Sequence, residues 1–232
     1  MENAQTAIIT GAAGAVGSVA ARRFDEAGWQ LALLDVGADN ADRLREAHPD
    51  ALVIDADLTD ADAAQGVMAR VKEASGSVDA LLNIAGGFAM EEAAEAEPDD
   101  VAAMHRINVT TVFNATRAAL PHMKNQGHGF VLGVSAGAAD DGAAGAASYA
   151  AAKAGVAAYL KSVHAELHAD GIRTSVLYPM GVVDTPANRD AMPDADPSGW
   201  ISRGELADHM LHLATRGPRG HVRELRVFPE SA

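Results

Sequence analysis

Seven short runs of mostly apolar residues recur along the chain, at Thr6–Thr10, Gln30–Asp35, Leu52–Asp55, Ala80–Ile84, Phe130–Val134, Arg173–Leu177 and Val222–Phe228. Continuous runs of this kind suit strands buried on both faces of a parallel sheet, whereas a half-solvated strand alternates apolar and polar residues. Between them lie longer amphipathic stretches, among them Val16–Ala27, Asp60–Ala74, Val101–Met123 and Tyr149–His168, whose spacing predicts helices. Strand and helix therefore alternate, ending on a strand. This order predicts an α/β fold, a doubly wound parallel seven-stranded sheet with helices on both faces and a ligand crevice at the carboxyl ends of the strands. No Pro/Gly/Ser-rich linker divides the 232 residues, so residues 1–232 are expected to form a single domain. The least regular stretch, Pro179–Gly199, carries prolines at 179, 186, 193 and 197 and is expected to form a mobile loop or short-helix insert, a substrate lid at about 179–200.

Composition narrows the function classes. A formal charge of −14 disfavours binding to nucleic-acid phosphates or anionic lipid, and no basic patch is visible in the sequence. The absence of cysteine excludes disulfides, thiolate catalysis and cysteine-ligated metals. No run reaches the ~18 apolar residues of a membrane span, and the first residues, MENAQTAIIT, lack the pattern of a secretory signal. The chain is expected to be cytoplasmic, with a small molecule as its partner.

The first run leads through Thr10-Gly11-Ala12-Ala13-Gly14-Ala15-Val16-Gly17 into a helix. Glycine permits a tight turn and close approach of backbone to a pyrophosphate, while the helix N-terminus offers unpaired N–H groups and a favourable dipole. A packing turn without ligand is the plain alternative. Asp35 stands 24 residues after Gly11 at the end of the second run, near the ~20-residue spacing of an acid that binds the adenosine ribose. Its carboxylate would accept hydrogen bonds from ribose hydroxyls and repel a 2′-phosphate, and no Arg or Lys occurs in Gly11–Gly17. The turn is that of a Rossmann-type domain, and NAD(H) is expected to be preferred over NADP(H).

Tyr149-Ala-Ala-Ala-Lys153 places a phenol and an ammonium on one helical face. A phenol with a reference pKa of about 10 needs such a charge nearby for proton exchange near neutral pH. These motifs, in this order, resemble those of the short-chain dehydrogenase/reductase family, and the resemblance covers nearly the whole chain. Thr10, Gly11 and Gly17 match its Thr-Gly-x-x-x-Gly-x-Gly turn, with Ala15 at the middle glycine and Gly14 one position earlier. Asp57-Leu58 is similar to the family's adenine contact, and Asn83-Ile84-Ala85-Gly86 to its Asn-Asn-Ala-Gly.

The resemblance implies that Tyr149 donates a proton to the substrate oxygen, that Lys153 also holds the nicotinamide ribose, and that Asn108 helps a water reach the lysine. It implies cofactor contacts at Gly11, Ala13, Gly14, Ala15, Val16, Gly17, Asp35, Asp57, Leu58, Asn83, Ala85, Gly86, Tyr149, Lys153, Pro179 and Thr185. The family's carbonyl-polarising serine falls at Ala136, and Ser135 lies one position earlier. Adjacent strand residues face opposite ways, so Ser135 joins the catalytic set only if the chain bends at Gly137.

The dihydropteridine reductase branch also lacks that serine, and the run Asp184-Thr185-Pro186 through Asn188-Arg189, Met192-Pro193 and Trp200 resembles its C-terminal signature, with Phe88 where an aromatic tryptophan is usual. The implied activity is hydride transfer between nicotinamide and a small carbonyl, imine or quinonoid compound. Dihydropteridine reduction specifically and a non-catalytic NAD-binding regulator are the alternatives. Family members join through helices corresponding to Val101–Met123 and Tyr149–His168, which implies a homodimer or homotetramer. The pairs His164/His168 and His209/His212 lack a third ligand at zinc-motif spacing and are expected on helix surfaces, with no metal bound. Glu91–Asp100 is expected to be a solvated loop and helix start, with Pro98 in the first turn.

Overall fold

The computed structural model describes residues 4–230. Its strands are β1 (Thr6–Thr10), β2 (Gln30–Asp35), β3 (Leu52–Asp55), β4 (Ala80–Asn83), β5 (Gly129–Val134), β6 (Ile172–Pro179) and β7 (Glu224–Val227). Its helices are α1 (Gly17–Glu26), α2 (Ala38–Ala47), α3 (Ala61–Ser75), α4 (Pro98–His105), α5 (Thr111–Gln126), α6 (Ala138–Asp141), α7 (Ala147–Leu167), α8 (Pro186–Ala191) and α9 (Arg203–Thr215). The strands form one sheet in the order β3-β2-β1-β4-β5-β6-β7, and every pairing is parallel.

The two-residue period of each strand divides the core. Ile8, Leu34, Ile54, Leu81, Val131 and Val176 pack against α3, α5 and α7. Ile9, Leu33, Val53, Leu82, Leu132 and Leu177 face the other way, against α1, α2 and α9. Each central strand is thus buried on both sides, which is why its sequence reads as an unbroken apolar run.

The helices follow equally local rules. In α3 the buried Ala64, Val67, Met68 and Val71 lie on one face, Asp60 accepts from the Asp62 and Ala63 N–H groups, and Gly76 closes the C-terminus at φ 77°. The stretch expected as one helix over 101–123 begins at Pro98 and runs to Gln126, interrupted by a π turn at Arg106–Thr110. A π turn adds a residue to the helical repeat, and here it places the fully buried Asn108. Helix α2 has only Ala41 and Leu44 buried, so its periodic signal is faint. The stretch over 179–200, expected as a loop or short-helix insert, contains α8 and a 3-10 turn at Pro197–Gly199, and Val183 bridges Ile201 just before α9.

The sheet reverses its winding between β1 and β4, the point at which an open parallel sheet of this kind forms its ligand crevice at the carboxyl ends. Thr10 and Asn83 are partners at that point. The buried Thr10 hydroxyl accepts from the Ile84 and Ala85 N–H groups, both at 3.0 Å, and so ties the end of β1 to the chain leaving β4.

Candidate active site

The crevice floor begins with the glycine turn. Gly11 has φ 65°, and a side chain there would meet the Ala85 backbone at 2.9 Å. A Cβ on Gly17 would lie 2.1 Å from the Gly11 carbonyl oxygen, so α1 can start this close to β1 only with glycine at 17. Gly14 donates its N–H to the Gly11 carbonyl at 3.1 Å, which turns the chain before Ala15 and Val16. Among the described residues no side chain caps α1, and its first turn holds no acid. The Ser18 and Val19 N–H groups turn back onto the Gly14 and Val16 carbonyls, and the positive dipole end of α1 faces the glycine turn without a charged side chain, so the turn fits a dinucleotide pyrophosphate.

Asp35 ends β2 beside this turn. Its Oδ2 accepts from the Ala13 N–H at 2.8 Å, and its Oδ1 accepts from the Val36 N–H and the Asn40 side chain, both at 2.9 Å. These bonds fix a half-buried carboxylate against the glycine turn. Asp57 accepts from the Thr59 N–H at 2.9 Å, which holds its carboxyl below the usual range. Leu58 is buried, and Asn114 of α5 donates to the Leu58 and Thr59 carbonyls at 2.9 and 3.1 Å. Asn114 was absent from the expected site, although an asparagine on an otherwise apolar helix face is the signal that could have found it.

Tyr149 and Lys153 stand one turn apart in α7, with the Lys153 Nζ 5.8 Å from the centre of the phenol ring. Lys153 is only 7% exposed and donates to the Val134 carbonyl at 3.0 Å. Burial pulls its ammonium down to about 8 and pushes the Tyr149 phenol above its usual range. Asn108 donates to the carbonyls of Gly87 and Met104 at 3.0 and 3.1 Å and accepts from the Gly87 N–H at 3.2 Å. The Asn108 and Lys153 side chains meet at Gly86, where a Cβ would lie 2.6 Å from the Asn108 Oδ1 and 3.2 Å from the Lys153 Nζ.

Other expected residues are placed differently. Ser135 is 2% exposed and donates its hydroxyl hydrogen to the Lys153 carbonyl at 2.9 Å. It braces the lysine turn of α7. The bend at Gly137 comes after it, pinned by the Gly137 N–H on the Pro179 carbonyl at 2.8 Å. Asn83 is likewise 2% exposed and donates to the Leu132 carbonyl at 3.2 Å, bridging β4 to β5 where a cofactor contact was expected. Thr185 caps α8 through the Asn188 N–H at 3.1 Å. Phe88, outside the expected site set, packs edge-to-face on Tyr149 with ring centres 4.9 Å apart.

A family model described as short chain dehydrogenase matches residues 5–196. The chain belongs to the short-chain dehydrogenase/reductase family. As a short-chain dehydrogenase/reductase it is an oxidoreductase, and its family uses nicotinamide cofactors. It is 36% identical over 225 residues to cis-4-hydroxycyclohexanecarboxylate dehydrogenase of Sinomonas cyclohexanicum, covering 91% of this chain and 89% of the relative. It is 32% identical over 214 residues to 2,5-dichloro-2,5-cyclohexadiene-1,4-diol dehydrogenase LinX of Sphingobium indicum, covering 88% and 84%. Its fold is similar to the crystal structure of gox2181, with a TM-score of 0.89 at 24% identity over 97% of this chain and 95% of that one. Among the described residues there is no cluster of three or more His, Cys, Asp or Glu able to hold a metal, and no helix is long and apolar enough to cross a membrane.

The crowding at Gly86 gives a direct test of how the site is held. Gly86→Ala is expected to force the Asn108 amide and the Lys153 ammonium apart and to cost about 1–3 kcal/mol of stability, as overpacking does. Urea unfolding measures it, and an unchanged midpoint would contradict the close approach described.

Proposed function

We propose that this enzyme interconverts a small secondary alcohol and its carbonyl compound with NAD(H), using Tyr149 as proton donor and acceptor. The observation that carries this reading is the junction at Gly86, which brings Lys153, one turn from Tyr149, against Asn108 at the mouth of the crevice. Bound NADH supplies the hydride. Tyr149 gives its proton to the carbonyl oxygen in reduction and recovers one in oxidation. Lys153 offsets the phenolate charge left behind, in a site where burial makes that charge costly. Asn108 keeps the Gly87 backbone, and with it the crevice floor, fixed beside the lysine.

The named relatives act on ring alcohols, which favours a carbinol substrate. A quinonoid dihydropterin is the second reading. It is favoured by Ala136, which leaves no hydroxyl at the carbonyl-polarising position and suits a substrate already polarised. The exposed Val101, Ile107 and Phe113 along α4, the π turn and α5 support a homodimer or homotetramer built on these helices.

Tyr149→Phe removes the hydroxyl and keeps the ring. NADH binding, followed by fluorescence, is expected to survive, while kcat falls about 10²–10⁴-fold, the usual worth of a general acid. Full activity in that variant would remove Tyr149 from its role. Lys153 adds a pH signature, because its ammonium is charged below about 8 and neutral above. The rate of ketone reduction is therefore expected to be level at neutral pH and to fall as pH rises through about 8. A rate that climbs across that range contradicts the assignment.

Cofactor choice rests on Asp35. Wild-type protein is expected to bind NADH more tightly than NADPH, and Asp35→Ala to narrow the gap by removing both an acceptor and a repelling charge. Equal affinities in the wild type would release Asp35 from this role.

A further inference from the structure

Residues 87–91 leave β4 and pass in front of the first turn of α7, held at both ends. At one end, Asn108 bonds both the N–H and the carbonyl of Gly87. At the other, the Glu91 N–H donates to the Gly145 carbonyl at 2.8 Å, and Glu91 bridges Ala146. Between these anchors the segment carries two large apolar side chains, Phe88 at 60% exposure and Met90 at 70%. Phe88 stands almost perpendicular to the Tyr149 ring, at 87°. Anchored backbone keeps Phe88 beside the phenol and Met90 against Gly145, just before α7, and exposed apolar area is the usual mark of a ligand surface.

Polar recognition is sparse on the opposite side. Ala136 is a methyl group, and the neighbouring Ser135 hydroxyl is buried and committed to the Lys153 carbonyl. Neither residue therefore offers a free hydroxyl to a ligand beside Tyr149.

We propose that Phe88, extended by Met90, is the specificity-determining wall of the site, and that it selects substrates whose reacting carbon belongs to a compact apolar ring. The proposal rests on Tyr149 as the group that meets the substrate oxygen. Two rings set at right angles form a corner that a rigid ring fills across a broad face. An open chain of equal carbon number loses more rotamer freedom to make the same contact. Phe88 also covers one side of the phenol, consistent with the burial that raises its pKa.

The test compares cyclohexanone with methyl butyl ketone, each a six-carbon ketone, in NADH-dependent reduction by the wild type, Phe88→Ala, Phe88→Leu and Met90→Ala. The wild type is expected to favour the ring. Phe88→Ala is expected to raise KM for cyclohexanone about 10–100-fold, the worth of a lost hydrophobic pocket wall. Its kcat should change far less, its NADH affinity should be unchanged, and the ring preference should disappear. Phe88→Leu should recover part of the loss, and Met90→Ala should show a smaller one. Retained ring preference in Phe88→Ala, or equal losses on both ketones, overturns the wall while leaving the proton-transfer reading intact. Turnover of neither ketone by a wild type that binds NADH overturns both.

Discussion

The interaction on which the rest of the site depends is the burial of one ammonium. Lys153 is almost wholly enclosed, with one backbone carbonyl as its hydrogen-bond partner, at a depth where a charge without compensation is expensive. Its neighbours are arranged around that cost. Gly86 has no side chain because the lysine and Asn108 occupy the space. Val134 presents a carbonyl because β5 ends there, and Ser135 secures the carbonyl of Lys153 itself, so strand end and helix turn are fastened to each other in both directions. The result is a cation with a lowered pKa, beside a phenol whose own pKa burial has raised. Each group is displaced from its solution preference, the combination expected of a site that exchanges protons.

The parallel sheet makes this arrangement affordable in conformational terms. Seven strands buried on both faces fix the carboxyl ends of β1, β4, β5 and β6 relative to one another, so loops only a few residues long can hold their groups in place. Thr10 shows the scale of the linkage: one hydroxyl collects two N–H groups from the chain leaving β4 and joins the glycine turn to the segment carrying Gly86 and Phe88. The glycine turn and the segment carrying Gly86 and Phe88 are therefore tied together near β1 and β4, whereas the segment after β6 is built of short turns and the six-residue α8.

What was legible in the sequence follows from the same physics. Double-sided burial writes itself as uninterrupted apolar runs, and all seven strands were found, three with the same ends and four with ends shifted by one or two residues. Helix α3 was equally plain, because its cap and apolar stripe coincide. Helix α2 was missed because two buried residues make no stripe, and the break inside the α4–α5 stretch was missed because a π turn changes the period without changing the composition. Among site residues, Tyr149, Lys153 and the glycines could be named because a turn or spacing demands them, and Asn108 from the family resemblance. The backbone partners of Ser135 and Asn83 could not be read from sequence: both are small polar residues at strand ends, and what such a side chain meets depends on the bend that follows.

Asn108 shows why a departure from regular helix is informative here. In a continuous α-helix its amide would have to compete with the backbone of its own turn. The π turn loosens that turn, and the amide then satisfies the Met104 carbonyl while reaching across to both polar groups of Gly87. The irregularity thus exports hydrogen bonds from a helix to a loop. The loop it stabilises is the one that bears Phe88, so the side chain packed on Tyr149 follows a backbone held by the residue that crowds Gly86 together with Lys153. On the proposed roles, proton transfer and substrate selection would share that support, and the cost of the distorted helix would be offset by fixing both at once.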